Sequence, residues 1–319
     1  MCLVALAIDQ SRRFPLVVAS NRDEYFKRRA ARMAWWTPAP GAPAVLSGRD
    51  LESGGTWLGL TAQGRMALVT NVRGGPAVDA SAPTRGRIVT DWLAGRDPTG
   101  HFWMRTALSG YNGFNLIAAD FRDGECFWAS NTGAHPVRLG RGLHGLSNGT
   151  LDAPWPKVLA LKASLRAGLK TAASADALAA QLFAALADRS VAADDALPRT
   201  GIPLTWERTL SSAFIRTPDQ AYGTRCSTLV VTERIGRQLL THVFERSFSA
   251  GGGVALLRRT ALRHWPPRYG DDGAAPVPAE PGVVSDAEWP SDAPEAAVRT
   301  KRTRVRSLLK PLDGSRRAR

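Results

Sequence analysis

The succession of apolar patterns predicts an α+β fold. Three observations carry it. Hairpin signals fill the first half of the chain, two helical stripes follow, and strand patterns return after them. Strands, then helices, then strands suit one domain with segregated sheets and helices rather than a repeating βαβ unit. The chain has 319 residues, 44% of them hydrophobic, which is enough for a sizeable core. The domain is expected over residues 1–262, with a separate tail over 263–319.

Two short apolar runs open the chain, Cys2 to Ile8 and Pro15 to Ala19. Gln10-Ser11-Arg12-Arg13 between them is a turn signal, so the pair predicts a β-hairpin. The second strand ends in Asn21-Arg22-Asp23-Glu24. Trp35 to Val45 contains Pro38, Pro40 and Pro43, which argues against regular structure. A second hairpin is predicted from Thr56–Thr61 and Arg65–Asn71, turning at Ala62-Gln63-Gly64. The glycine pairs Gly54-Gly55 and Gly74-Gly75 beside it permit close backbone approach or positive φ. Thr84-Arg85-Gly86-Arg87 precedes a short helix over Ile88–Leu93. Gly113–Asp120 and Glu125–Ser130 form the next strand pair, and Val137–Ser147 adds two short strands.

The periodicity then changes. Val158, Leu161 and Leu165 share one face of a helix over Asp152–Gly168. Leu178, Leu182, Phe183 and Leu186 make the clearest stripe, over Ala172–Ala187, with Ser174 as its N-cap. Strands are predicted again at Ala213–Thr217, at Leu229–Thr232 and at Gln238–Phe248.

Charge separates the tail from the body. Net charge is +14, but residues 298–319 hold nine Lys or Arg against one Asp, leaving +6 for the other 297 residues. The body therefore lacks an electrostatic footprint for nucleic acid. Residues 270–297 carry seven acidic residues, no basic ones and many Pro and Ala, a composition expected to stay disordered. No apolar run approaches the roughly 20 residues of a membrane span. The opening lacks the basic region of a signal peptide, so the expected location is the cytoplasm. Three widely spaced cysteines fit reduced thiols. The five histidines are scattered, and no metal site is expected.

Cys2 stands directly behind Met1. Methionine excision would leave a thiol and a free α-amine on one carbon. The amine's reference pKa is about 7.7–8.0, so it can act as a base at neutral pH. Nucleophile and base then come from one residue. Arg22 is the candidate cation beside the thiol. The alternative is that Cys2 is a small apolar residue opening a buried strand.

Six motifs, in order, carry a resemblance to a known family. They are Cys2, Asn21-Arg22-Asp23-Glu24, Gly54-Gly55-Thr56-Trp57-Leu58-Gly59, Thr70-Asn71-Val72-Arg73, Leu146-Ser147-Asn148-Gly149 with Trp155-Pro156-Lys157, and Tyr222-Gly223-Thr224-Arg225-Cys226-Ser227-Thr228. Over about residues 1–250 the chain resembles the NRDE family, also called the transport-and-Golgi-organisation protein 2 family. The resemblance implies the four-layer αββα sandwich of N-terminal nucleophile hydrolases. It also implies a chemistry like that of the cysteine acylases of bile-salt amides and penicillin V. Cys2 then matches the nucleophile, Arg22 the early arginine and Arg225 the late arginine, with Asn71 and Asn148 as oxyanion donors. The acylases' aspartate, three residues after the early arginine, is replaced by Tyr25, which leaves Asp23 and Glu24 as the nearby carboxylates. Pairing or turn-capping is the other role open to Asp23, Asn71, Asn148 and Arg225. Trp57 is either a pocket wall or a core residue.

Two functions follow from the resemblance. One is hydrolysis of a non-peptide amide without a cofactor, the partner being a small-molecule amide. The other is non-catalytic carriage of a hydrophobic ligand, haem or lipid, in which a thiolate could ligate haem iron.

Overall fold

The first strand, β1 (Cys2–Ile8), is buried along its whole length. A continuous apolar run of this kind belongs to a strand covered on both faces. Val4, Leu6 and Ile8 point into the core between two sheets. Helix α3 (Pro156–Thr171) covers the other face. The structure, a computed structural model, describes residues 2–74, 78–251, 253–267 and 280–287. One compact unit spans Met1–Glu288.

Among the described residues, the first sheet is antiparallel and has eight strands. Its order is β10 (Gly142–Leu146), β1, β2 (Leu16–Tyr25), β11 (Tyr222–Ile235), β12 (Gln238–Phe248), β13 (Val254–Arg263) and β14 (Glu280–Pro281), with β15 (Ser285–Ala287) also on β13. The second sheet runs in chain order: β3 (Ala30–Trp36), β4 (Val45–Asp50), β5 (Leu58–Thr61), β6 (Arg65–Asn71), β7 (Phe114–Asp120), β8 (Glu125–Ser130) and β9 (Ala134–Arg138). Leu60, Met66, Leu68 and Ile117 of this sheet meet Val4, Leu6, Val18 and Val230 of the first.

Helices close both outer faces. α3 and α4 (Ala175–Leu186) pack on the first sheet with the predicted stripes buried. Ser174 caps α4 by accepting the Ala177 N–H at 3.2 Å. α1 (Gly86–Ala94) and α2 (Thr99–Ala107) cover the second sheet through Ile88, Trp92 and Phe102, which meet Val69, Leu116 and Phe127. The layers are therefore helix, sheet, sheet, helix, an α+β arrangement of two antiparallel sheets.

As expected, β2 carries Asn21-Arg22-Asp23-Glu24 at its end, where β11 pairs with it. Other expectations need correction. Trp35 and Trp36 belong to strand β3, and the irregular stretch is confined to the proline-bearing residues 37–44. Ala213–Thr217 is not a strand: its link to β11 is one isolated bridge, Arg216 to Gly223. α2 and α5 (Leu204–Thr209) were not legible. The start of the expected tail is part of the fold. Trp265 is fully buried, donates to the Thr61 carbonyl at 3.0 Å and packs edge-on against Phe121. Further along, Glu280–Pro281 and Ser285–Ala287 pair with β13. Residues 268–279 and 288–319 lie outside the described residues.

Candidate active site

Cys2, at the head of β1, lies opposite Arg22 of β2. Arg22 lies in turn opposite Cys226 of β11. The register slips between Thr224 and Cys226, so Arg225 is the extra residue of a bulge. Its guanidinium donates to the carbonyls of Tyr25, at 2.8 Å, and Arg28, at 2.7 Å. Arg225 thus fixes the turn after β2.

The second sheet meets this corner through the segment after β10. Ser147 Oγ donates to the Cys2 carbonyl at 2.9 Å, and Thr70 Oγ1 donates to the Ser147 carbonyl at 2.6 Å. Asn148 Nδ2 donates to the Asn71 carbonyl at 2.8 Å. A short polar segment therefore ties the head of β1 to the end of β6.

A cavity of about 310 Å³ opens where the two sheets meet. Cys2, Arg22, Asp23 and Asn71 all line it, together with Trp57. Asn148 sits behind the wall and Arg225 faces a smaller cavity of about 60 Å³ on the far side of Trp57. Four of the six residues picked from the sequence are thus brought together at one cavity, and the other two brace its frame.

Arg22 is 5% exposed. Its guanidinium stacks on Trp57, 4.3 Å from the ring centroid, and Nη2 lies 3.3 Å from Asp50 Oδ2 and 3.8 Å from Glu24. Nη1 is buried with no hydrogen-bond partner among the described residues. Trp57 fills both roles left open for it: it lines the cavity and packs against the inter-sheet core.

Burial pushes the Cys2 thiol up, and Asp23 and Glu24 add to that while Arg22 opposes it. Burial likewise raises Asp23, against the pull of Lys157 and a 2.7 Å hydrogen bond from Thr224. Lys157 is lowered to about 8, chiefly by burial. Asp23 and Lys157 are electrostatically coupled and both buried, but Lys157 donates to the Leu210 carbonyl at 2.7 Å and lines a different cavity.

Asp50, Arg28 and Arg85 also line this site, and residue types alone did not single them out. Asp50 accepts the N–H groups of Glu52 and Ser53 and binds Arg28 at 2.6 Å, so it both turns the chain and anchors two guanidinium groups. Its place just before the glycine pair was the available signal, since Asp before a tight turn accepts backbone N–H groups. Among the described residues, no group of three or more His, Cys, Asp or Glu is placed to hold a metal ion.

The family model described as Transport and Golgi organisation 2 matches residues 1–250, which takes in every residue of this corner. The chain belongs to that family. The Transport and Golgi organization protein 2 homolog of Bos taurus is 33% identical over 261 residues, covering 76% of this chain and 92% of the relative. The homolog of Homo sapiens is 30% identical over 260 residues, with the same two coverages of 76% and 92%. The chain is also similar to the crystal structure of the mutant C2A conjugated bile acid hydrolase from Clostridium perfringens. That similarity has 9% identity and a TM-score of 0.37, over 74% of this chain and 90% of that one. The motif order that marks the Transport and Golgi organisation 2 family thus coincides with the corner where the two sheets are tied.

Proposed function

We propose that this protein is an amide hydrolase that uses Cys2, freed by removal of Met1, as its nucleophile. The observation that carries the reading is the cross-strand pairing of Cys2 with Arg22 on the wall of one cavity. The thiol proton passes to the α-amine, and Sγ attacks the amide carbonyl carbon. Asn71, on the wall of the same cavity, is the donor near the oxygen that becomes negative. The C–N bond then breaks as the α-ammonium returns the proton to the leaving amine. Water, losing its proton to the α-amine, cleaves the thioester and restores the thiol.

Two measurements test this. The intact mass of the purified protein should be short by one methionine, and retained Met1 overturns the mechanism. Cys2→Ala should fold and melt as the parent does but lose turnover of small amides roughly a thousandfold or more. An unchanged rate rejects the nucleophile. The carrier reading draws less support from this corner, where guanidinium and carboxylate groups dominate the wall. It predicts a saturable change in the haem Soret band without hydrolysis.

A further inference from the structure

The wall opposite Trp57 contains an arrangement that the hydrolytic chemistry does not use. Arg85 is the N-cap of α1, and its side chain reaches the cavity that holds Cys2. A helix N-terminus carries partial positive charge and ordinarily attracts carboxylates or side-chain caps. α1 has no side-chain cap and no acidic residue in its first turn, and a guanidinium stands there instead. Arg85 is half-buried and donates from Nη1 to the Gly113 carbonyl at 3.1 Å. No carboxylate among the described residues lies within ion-pairing distance of it. The acidic residues of the wall have other partners, although Glu24 also acts on Arg85 at longer range, and Asp23 accepts the Thr224 hydroxyl at 2.7 Å. Asp50 binds Arg22 and Arg28, Glu24 lies 3.8 Å from Arg22, and Asp79 accepts the Ser81 hydroxyl. Arg22, on the same cavity, keeps a buried donor unspent.

Two guanidinium groups with spare donors and a bare helix start therefore share one cavity with the thiol. Such local conflicts persist where function compensates them. We infer that the substrate carries an anionic group, a carboxylate or its equivalent, which Arg85 binds while the scissile amide lies over Cys2. The word substrate rests on the hydrolase reading, but the binding site can be tested without it.

The probes are N-acetylglycine and its neutral twin N-acetylglycinamide, titrated calorimetrically at matched ionic strength into full-length Cys2→Ala protein, where no turnover occurs. The carboxylate should bind about tenfold more tightly than the twin, as one charge-assisted contact implies. Adding Arg85→Gln should bring the two within about twofold, and Arg85→Lys should retain most of the preference. Equal binding of the twins, no binding of either, or a preference unmoved by Arg85→Gln overturns the inference. If Arg85→Gln does not fold, the comparison of twins in the parent decides alone. A carboxylate preference in a protein whose Cys2→Ala variant hydrolyses as well as wild type would sink the hydrolase reading and leave this site standing.

Discussion

Asn71 and Asn148 are both asparagines at the corner between the sheets, but their side chains have different tasks. Asn148 is fully buried, and its amide bridges to the Asn71 carbonyl. The Asn71 side chain is hydrogen-bonded to none of the described residues and faces the cavity. Asn148→Ala should therefore cost stability, about 1–3 kcal/mol, by leaving the half-buried Asn71 carbonyl without this donor. Asn71→Ala should leave the melting temperature nearly unchanged yet slow amide turnover by about 10²–10³, the usual loss for one oxyanion donor. Thermal melts beside rates on both variants check this, and the reverse pattern would exchange the two roles. Arg22 gives a second test at this scale. Asp50 keeps its bond to Arg28 when Arg22 is shortened, so Arg22→Gln should fold. The variant removes one of the cations, beside the amino terminus, that oppose the other pressures on the thiol. The pH at which Cys2 is half-alkylated by iodoacetamide should then rise, and a downward or absent shift would remove Arg22 from the activation of Cys2.

At the scale of elements, the glycines before β5 set how close the second sheet comes to α1. A Cβ on Gly55 would lie 2.5 Å from the Gly86 carbonyl carbon, too close without movement of the backbone. Gly55→Ala should push the first turn of α1 away from the cavity and cost about 1–3 kcal/mol. A melting curve identical to the parent's would show that this packing is slack. How much was legible in the sequence follows from similar local facts. Strands buried on both faces, such as β1, and helices with one apolar stripe, such as α4, announce themselves because their burial is written in their own residues. α2 could not be read from Thr99-Gly100-His101-Phe102, where only Phe102 and Thr106 are buried and a glycine lies in the first turn. α5 is six residues long and is fixed by distant partners, notably the buried Arg73–Glu207 ion pair at 2.7 Å. The candidate site was legible where motifs name it, at Cys2, Arg22, Asp23 and Asn71. Arg225, at a bulge that no spacing rule reveals, binds the carbonyls of the turn after β2 and lines a smaller neighbouring cavity. Arg85 reaches the site from the start of α1, and only the tertiary fold brings it there.

The whole molecule depends on two sheets meeting face to face, and one buried acid tests how that junction responds to pH. Glu245 of β12 accepts the Met33 N–H of β3 at 2.7 Å, a hydrogen bond from one sheet to the other. It is 2% exposed, and burial raises its pKa from 4.5 to about 7, against the Met33 bond and the nearby Arg258. The folded protein therefore binds this proton more tightly than the unfolded chain. Its contribution to stability is complete below pH 4.5 and is lost as pH rises through about 7. Lys157 has the opposite dependence. Its folded pKa of about 8 lies below the ordinary 10.5, so its penalty is present below about 8 and is relieved as pH rises through that range. The two windows barely overlap, which allows Glu245 to be isolated. Glu245→Gln keeps an oxygen for the Met33 N–H and removes the titration. The variant should match wild type near pH 4.5, where Glu245 is protonated in the folded state. Above pH 7 it should be more stable than wild type by about 1–3 kcal/mol. Urea unfolding of both proteins at several pH values reads the difference directly. A gap that stays constant with pH would mean that Glu245 keeps its charge at the junction of the sheets, held there by Arg258 and Arg32.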